Sequence, residues 1–123
     1  MRRWSGLSSH ALTVAAAHPV TVERSGGGDW LEQMLERPVP GSATVIYHSI
    51  VLQYLSDSDF DRVGSAITLA GKRATAAAPL AWLRMEPGEE QAHVRLTLWP
   101  EGREKLVTTC SYHGASVRWL GYD

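Results

Sequence analysis

A chain of 123 residues with 44% hydrophobic and 20% charged side chains has the make-up of one globular domain, not of a disordered tail. A formal charge of −1 argues against a nucleic-acid binder that works by neutralising phosphates, and the single cysteine, Cys110, excludes an intramolecular disulfide or a cysteine-based zinc site and fits a reducing compartment. No run approaches the ~18–20 apolar residues of a membrane span, and residues 5–10 after Arg2 and Arg3 are too polar for a secretory signal, so the expected location is the cytoplasm.

Residues 8–17 read as a short alanine-rich helix, capped by Ser8 or Ser9 and ended by His18-Pro19. Residues 1–10 are expected to pack poorly or to be disordered. Residues 20–23 alternate and are β-rich, which predicts a strand. Gly26-Gly27-Gly28 then reads as a loop, and Asp29 as the cap of a helix to about Glu36 with Trp30, Leu31, Met34 and Leu35 as its apolar positions. Residues 43–48 (ATVIYH) are apolar on both faces, the mark of a strand buried in a partly parallel sheet, and residues 49–55 read as a short helix after it.

Ser58 to Asp61 has the form of a capping box opening the longest helix, whose buried stripe is predicted as Phe60, Val63, Ile67, Ala70 and Ala74, with Pro79 as its stop. From there the period changes to two. Strands are predicted at 80–86, 93–99, 105–112 and 116–120, joined by Pro87-Gly88, Pro100-Glu101-Gly102 and His113-Gly114. Such short links permit only antiparallel neighbours. The expected fold is therefore a single α/β domain over 1–123: βαβ-type units with strands near 20–23, 43–48 and 80–86, then an antiparallel meander at 93–99, 105–112 and 116–120.

No motif specifies a reaction. The triple glycine lacks the third glycine of a dinucleotide fingerprint, since Leu31 stands there, and Asp29 would repel a phosphate. Asp57, Asp59 and Asp61 alternate like the start of a calcium loop, but Arg62 and Thr68 occupy its required glycine and glutamate positions, so they read as helix-start carboxylates. The sharpest candidate is His48-Ser49, because ligands of open α/β sheets gather beyond the carboxyl ends of the strands. Adjacent strand residues point to opposite faces, so the two form no nucleophile–base pair. Ser49 also serves as the expected cap of the helix that follows, and the nucleophile-elbow glycines are replaced by Tyr47 and Val51. Glu86 would lie beside His48 if their strands are parallel neighbours. The candidate pocket is therefore His48, Ser49, Gln53 and Glu86, with Arg84 nearby; the competing reading makes Glu86 a solvated carboxylate at a turn. Trp82, Trp99 and Trp119 fall in three strands and suit core or dimer packing better than base stacking. His10, His18 and His93 show no metal-ligand spacing, and His113 reads as a hairpin corner.

In order along the chain, HPVTVER, GDWL, ATVIYHSIVLQYL, PLAWLRMEP, VRLTLWPEG and YHGASVRWL give a further clue. From about Ala11 to Leu120 the chain resembles the C-terminal portion of a bacterial family known as domain of unknown function 2332. The resemblance implies no catalytic residues. It implies longer members with N-terminal sequence that this chain lacks. The strand–helix order also resembles the C-terminal half of Rossmann-like methyltransferases, whose S-adenosylmethionine loop lies in the other half of that fold; a short link at residues 87–91 departs from it. The expectation is a non-catalytic binding or interaction domain, with no cofactor identifiable, no nucleic acid or membrane partner, and either a homodimer or a missing N-terminal half to cover its sheet edge. The alternative is an S-adenosylmethionine-dependent methyltransferase relic or split subunit.

Overall fold

The computed structural model describes residues 4–122, with side chains from residue 8 onward. Three helices, α1 (Trp4–Ala17), α2 (Gly27–Met34) and α3 (Asp57–Arg73), and five strands, β1 (Thr44–Ser49), β2 (Leu80–Pro87), β3 (Ala92–Trp99), β4 (Arg103–Cys110) and β5 (Val117–Trp119), follow in the order α1-α2-β1-α3-β2-β3-β4-β5. The sheet runs β1-β2-β3-β4-β5 in sequence order. The β1–β2 pair is parallel, with α3 as its crossover, and the other three pairings are antiparallel. The fold is thus mixed α/β with an antiparallel meander, as the change of period implied, although β4 lies two residues earlier than expected.

The core forms where α2 and α3 pack together against one face of the sheet. Leu31 of α2 and Leu35 just beyond it, Val63, Ala66, Ile67 and Ala70 of α3, and Leu80 of β2 are buried together, with Ile46, Trp82 and Trp99 packed against them. Two glycines permit this closeness. A β-carbon at Gly28 would stand 2.8 Å from Arg62 Cδ, and one at Gly71 would overlap the Trp99 indole. Arg62 spans the α2–α3 contact, donating from Nε and Nη2 to Glu32 (both 2.8 Å) and pairing with Asp29. The hydrogen bond from Arg62 holds the Glu32 carboxyl below its usual range and raises the guanidinium.

Several expectations fail for local physical reasons. Residues 20–23 form no strand: the segment carries no regular structure, is exposed, and pairs with no strand of the sheet. The triple glycine is not simply a loop, because Gly27 and Gly28 open α2 behind the N-cap Gly26, which leaves Asp29 in the first turn rather than at the cap. β1 is an edge strand rather than one buried on both faces, with only Thr44, Ile46 and His48 half-buried. No helix spans 49–55. Ile50 takes φ = 52° and only a 3-10 turn, Leu52–Tyr54, follows, capped by no side chain, so Ser49 caps nothing. The cap of α3 is Ser56, whose Oγ accepts from the Asp59 amide and donates to the Asp59 carboxylate; the expected box sits two residues too late. Phe60 is exposed, and Ala66 and Gly71 replace it in the buried stripe. α3 ends at Arg73, before the alanine run, because Ala74 turns extended and residues 75–78 form a tight bridge ahead of Pro79. α1 begins at Trp4, so residues 4–10 of the expected disordered end are helical, while residues 1–3 lie outside the described residues.

Candidate functional site

The parallel register brings β1 and β2 together with His48 opposite Arg84. Side chains two apart on a strand share a face, so Trp82, Arg84 and Glu86 form a row on β2, and His48 faces its middle with Trp82 and Glu86 on the two diagonals. His48 Nε2 accepts a hydrogen bond from Trp82 Nε1 at 2.9 Å. Its Nδ1 lies 2.9 Å from Glu86 Oε1, at ion-pair distance but off the line of a straight hydrogen bond. The same Glu86 Oε1 accepts from the backbone amides of Val51 (3.3 Å) and Leu52 (3.4 Å), fastening the turn beyond Ile50. Arg84 lies over the Trp82 ring, 4.2 Å from its centroid, and pairs with Glu104 of β4, which also meets Arg95.

Burial determines the charge state of this cluster. The His48 and Glu86 side chains are 14% and 18% exposed. Desolvation pulls the His48 pKa below the ordinary histidine value, against the opposing pull of the Glu86 carboxylate and with help from the Arg84 charge. A neutral imidazole has one donor and one acceptor, and an indole N–H only donates, so Trp82 fixes the tautomer with the proton on Nδ1, facing Glu86. Nε2 is therefore committed to Trp82, while Nδ1 faces the Glu86 carboxylate without a straight hydrogen bond. The arrangement holds a neutral imidazole firmly and leaves no nitrogen free to take a proton from a substrate while Trp82 is in place.

The remaining members of the predicted pocket fall elsewhere. Ser49 is exposed and lies on the opposite face from His48, donating to Met85 Sδ at 3.6 Å. Gln53 is exposed on the 3-10 turn. The structure thus brings together His48 and Glu86 and separates both from Ser49. Sequence reasoning missed Trp82 as the second partner of His48. The signal was present in the period-two spacing of Trp82, Arg84 and Glu86, but it needed the register to be read. His113 lies in the β4–β5 turn, Trp82 and Trp99 pack on the core, and Trp119 is exposed on the short last strand. Among the described residues no group of three or more histidine, cysteine or acidic side chains is placed to hold a metal ion, and no helix is long and apolar enough to cross a membrane.

The second notable feature is a sheet face that neither α2 nor α3 covers. Register rows on the side away from α2 and α3 read Val45–Ala81–Leu98, Tyr47–Leu83–Leu96 and Ser49–Met85–Val94. Neither helix that packs on the sheet lies over them, and Val45 and Tyr47 at its margin are 56% and 79% exposed. A groove of about 280 Å³ runs along the free edge of β1, between Trp30, Leu31 and Met34 of α2, with Leu35 after it, and residues 44–47.

Comparison with known families gives one match: the family described as "Uncharacterized protein conserved in bacteria (DUF2332)" matches residues 2–119. Searches of curated proteins and of solved structures returned no match. The chain belongs to that bacterial family.

Proposed function

For this member of an uncharacterised bacterial family, we propose a non-catalytic interaction domain that works as a homodimer, docking through the uncovered face and free edge of its sheet. The observation that supports this reading is the half-covered sheet. Two helices seal one face while the other presents three rows of mostly apolar side chains. Contiguous apolar surface of this kind is characteristic of contact sites. The edge strand Thr44–Ser49 carries no lysine, no proline and no acidic residue, the usual guards against strand pairing. The cluster around His48 serves as internal bracing in this reading, because Trp82 holds Nε2 and Glu86 fastens the turn through the Val51 and Leu52 amides.

Size-exclusion chromatography with light scattering at micromolar concentration tests it: a dimer mass is expected, and a monomer overturns the homodimer. Tyr47→Lys, at an exposed position, should convert the dimer to a monomer with an unchanged circular-dichroism spectrum. A dimer that survives Tyr47→Lys would place the interface elsewhere. Titration calorimetry with S-adenosylmethionine separates this reading from a methyltransferase one: no heat is expected, and saturable binding would overturn the non-catalytic assignment.

A further inference from the structure

We propose that Trp82, His48 and Glu86 form a proton-driven latch at the carboxyl end of the β1–β2 pair, in which protonation of His48 exchanges its Trp82 partner for a full ion pair with Glu86. The proposal is independent of whether β1 meets a second copy. It starts from the donor–acceptor count. In the neutral state the Trp82 indole N–H points at the lone pair of His48 Nε2, 2.9 Å away. A proton taken from solvent can add only at that lone pair, since Nδ1 already carries the other. Two N–H groups would then face each other, and an indole cannot turn acceptor. The Trp82 bond must break.

The opposite end of the ring strengthens at the same moment. The imidazolium Nδ1–H faces the Glu86 carboxylate across 2.9 Å, and a charged pair draws closer than a neutral one. The charged groups acting on His48 are Glu86, which favours the proton, and Arg84, which opposes it, both from β2; β3 sets His93 in register with Glu86 and Arg95 in register with Arg84, and α3 and the 3-10 turn contribute none. Glu86 Oε1 is also the acceptor for the Val51 and Leu52 amides, at the long distances of 3.3 and 3.4 Å. An imidazolium competes with those amides for one oxygen. The turn they hold begins at Ile50, whose φ of 52° is an uncommon and costly conformation for a β-branched residue. A single proton is thus transmitted in two directions: to the Trp82 indole under Arg84, and to the strained turn that ends the edge strand.

The test is a nitrogen-15 NMR titration of the indole N–H signals of the full chain, from about pH 8 to about pH 5, across the range where histidines change charge. Loss of one signal in Trp82→Phe identifies the Trp82 indole. Its signal should move upfield as a single-proton transition with a midpoint below the ordinary histidine value, and the Val51 and Leu52 amides should shift with the same midpoint. Glu86→Gln removes the group that favours the proton, so its midpoint should move to lower pH. His48→Gln supplies an amide oxygen that accepts from Trp82 at every pH, so its indole signal should stay flat. A Trp82 signal that stays flat in the wild-type chain while the fold is intact overturns the latch. So does a transition that persists in His48→Gln. If His48→Gln does not fold, Glu86→Gln decides alone: a midpoint that stays put or rises contradicts the proposal.

Discussion

The two faces of the sheet obey different rules. On the side of α2 and α3, packing is close enough that Gly28 and Gly71 are dictated by neighbours, Arg62 and Trp99, that leave no room for a β-carbon. On the other side, and along residues 8–26, side chains of good hydrophobic quality stand in the open: Leu12, Val14, Val20 and Val22 are all exposed. The contrast teaches that apolar patterning alone does not make a core. A β-rich segment becomes a strand only when an edge receives it, and the segment at 20–23 pairs with neither edge strand, β1 nor β5.

The contrast can be broken most sharply from the sealed side. Ile67 is fully buried at the centre of the core, so Ile67→Ala should cost about 3–4 kcal/mol in denaturant unfolding, through lost burial and the cavity left behind. Gly71→Ala forces a methyl into the Trp99 indole and should cost about 2 kcal/mol, with Trp99 displaced. A chain that tolerated it unchanged would show that α3 does not sit so close to the sheet. Ser56→Ala removes the Asp59 amide acceptor at the start of α3 and should cost about 1 kcal/mol. On the open side, Leu12→Ser should fall within about 0.5 kcal/mol of the wild-type chain, since the side chain is 71% exposed. A large loss there would mean that α1 is held by contacts that the single chain does not make.

Acid offers a finer probe of the sealed side. The folded state holds His48 below its ordinary pKa, so the unfolded chain binds the proton first as pH falls. The stability this gives is fully present above the unfolded histidine value and is lost progressively down to the folded pKa. Unfolding free energy followed through mildly acidic pH should therefore drop in the wild-type chain, and drop less in His48→Gln.

Much of the sealed half was legible because there local pattern and tertiary demand agree. Strands 80–87 and 92–99 follow from alternation and turn chemistry, and Val63, Ile67 and Ala70 from helical spacing. The approach of His48 to Glu86 followed from supposing that their strands are parallel neighbours. What escaped was whatever depends on a neighbour. Residues 43–48 looked like a strand buried on both faces because Val45 and Tyr47 are apolar, yet neither α2 nor α3 covers those two side chains. The turn at Ile50 carries no glycine or asparagine to announce a positive φ; Glu86, thirty-six residues later in the chain, holds it by accepting from the two amides beyond it. Trp82 was read as packing, since its role as a donor needs the register to place the imidazole in reach.

The central claim, that the covered face makes the fold and the uncovered face makes the contacts, is tested most directly by amide hydrogen exchange at two protein concentrations. The account predicts that α3 and β3 exchange at the same slow rate in both, while β1 gains protection as the concentration rises through the dimer's range. Equal exchange of β1 at the two concentrations, or protection that rises in α3 instead, would contradict it.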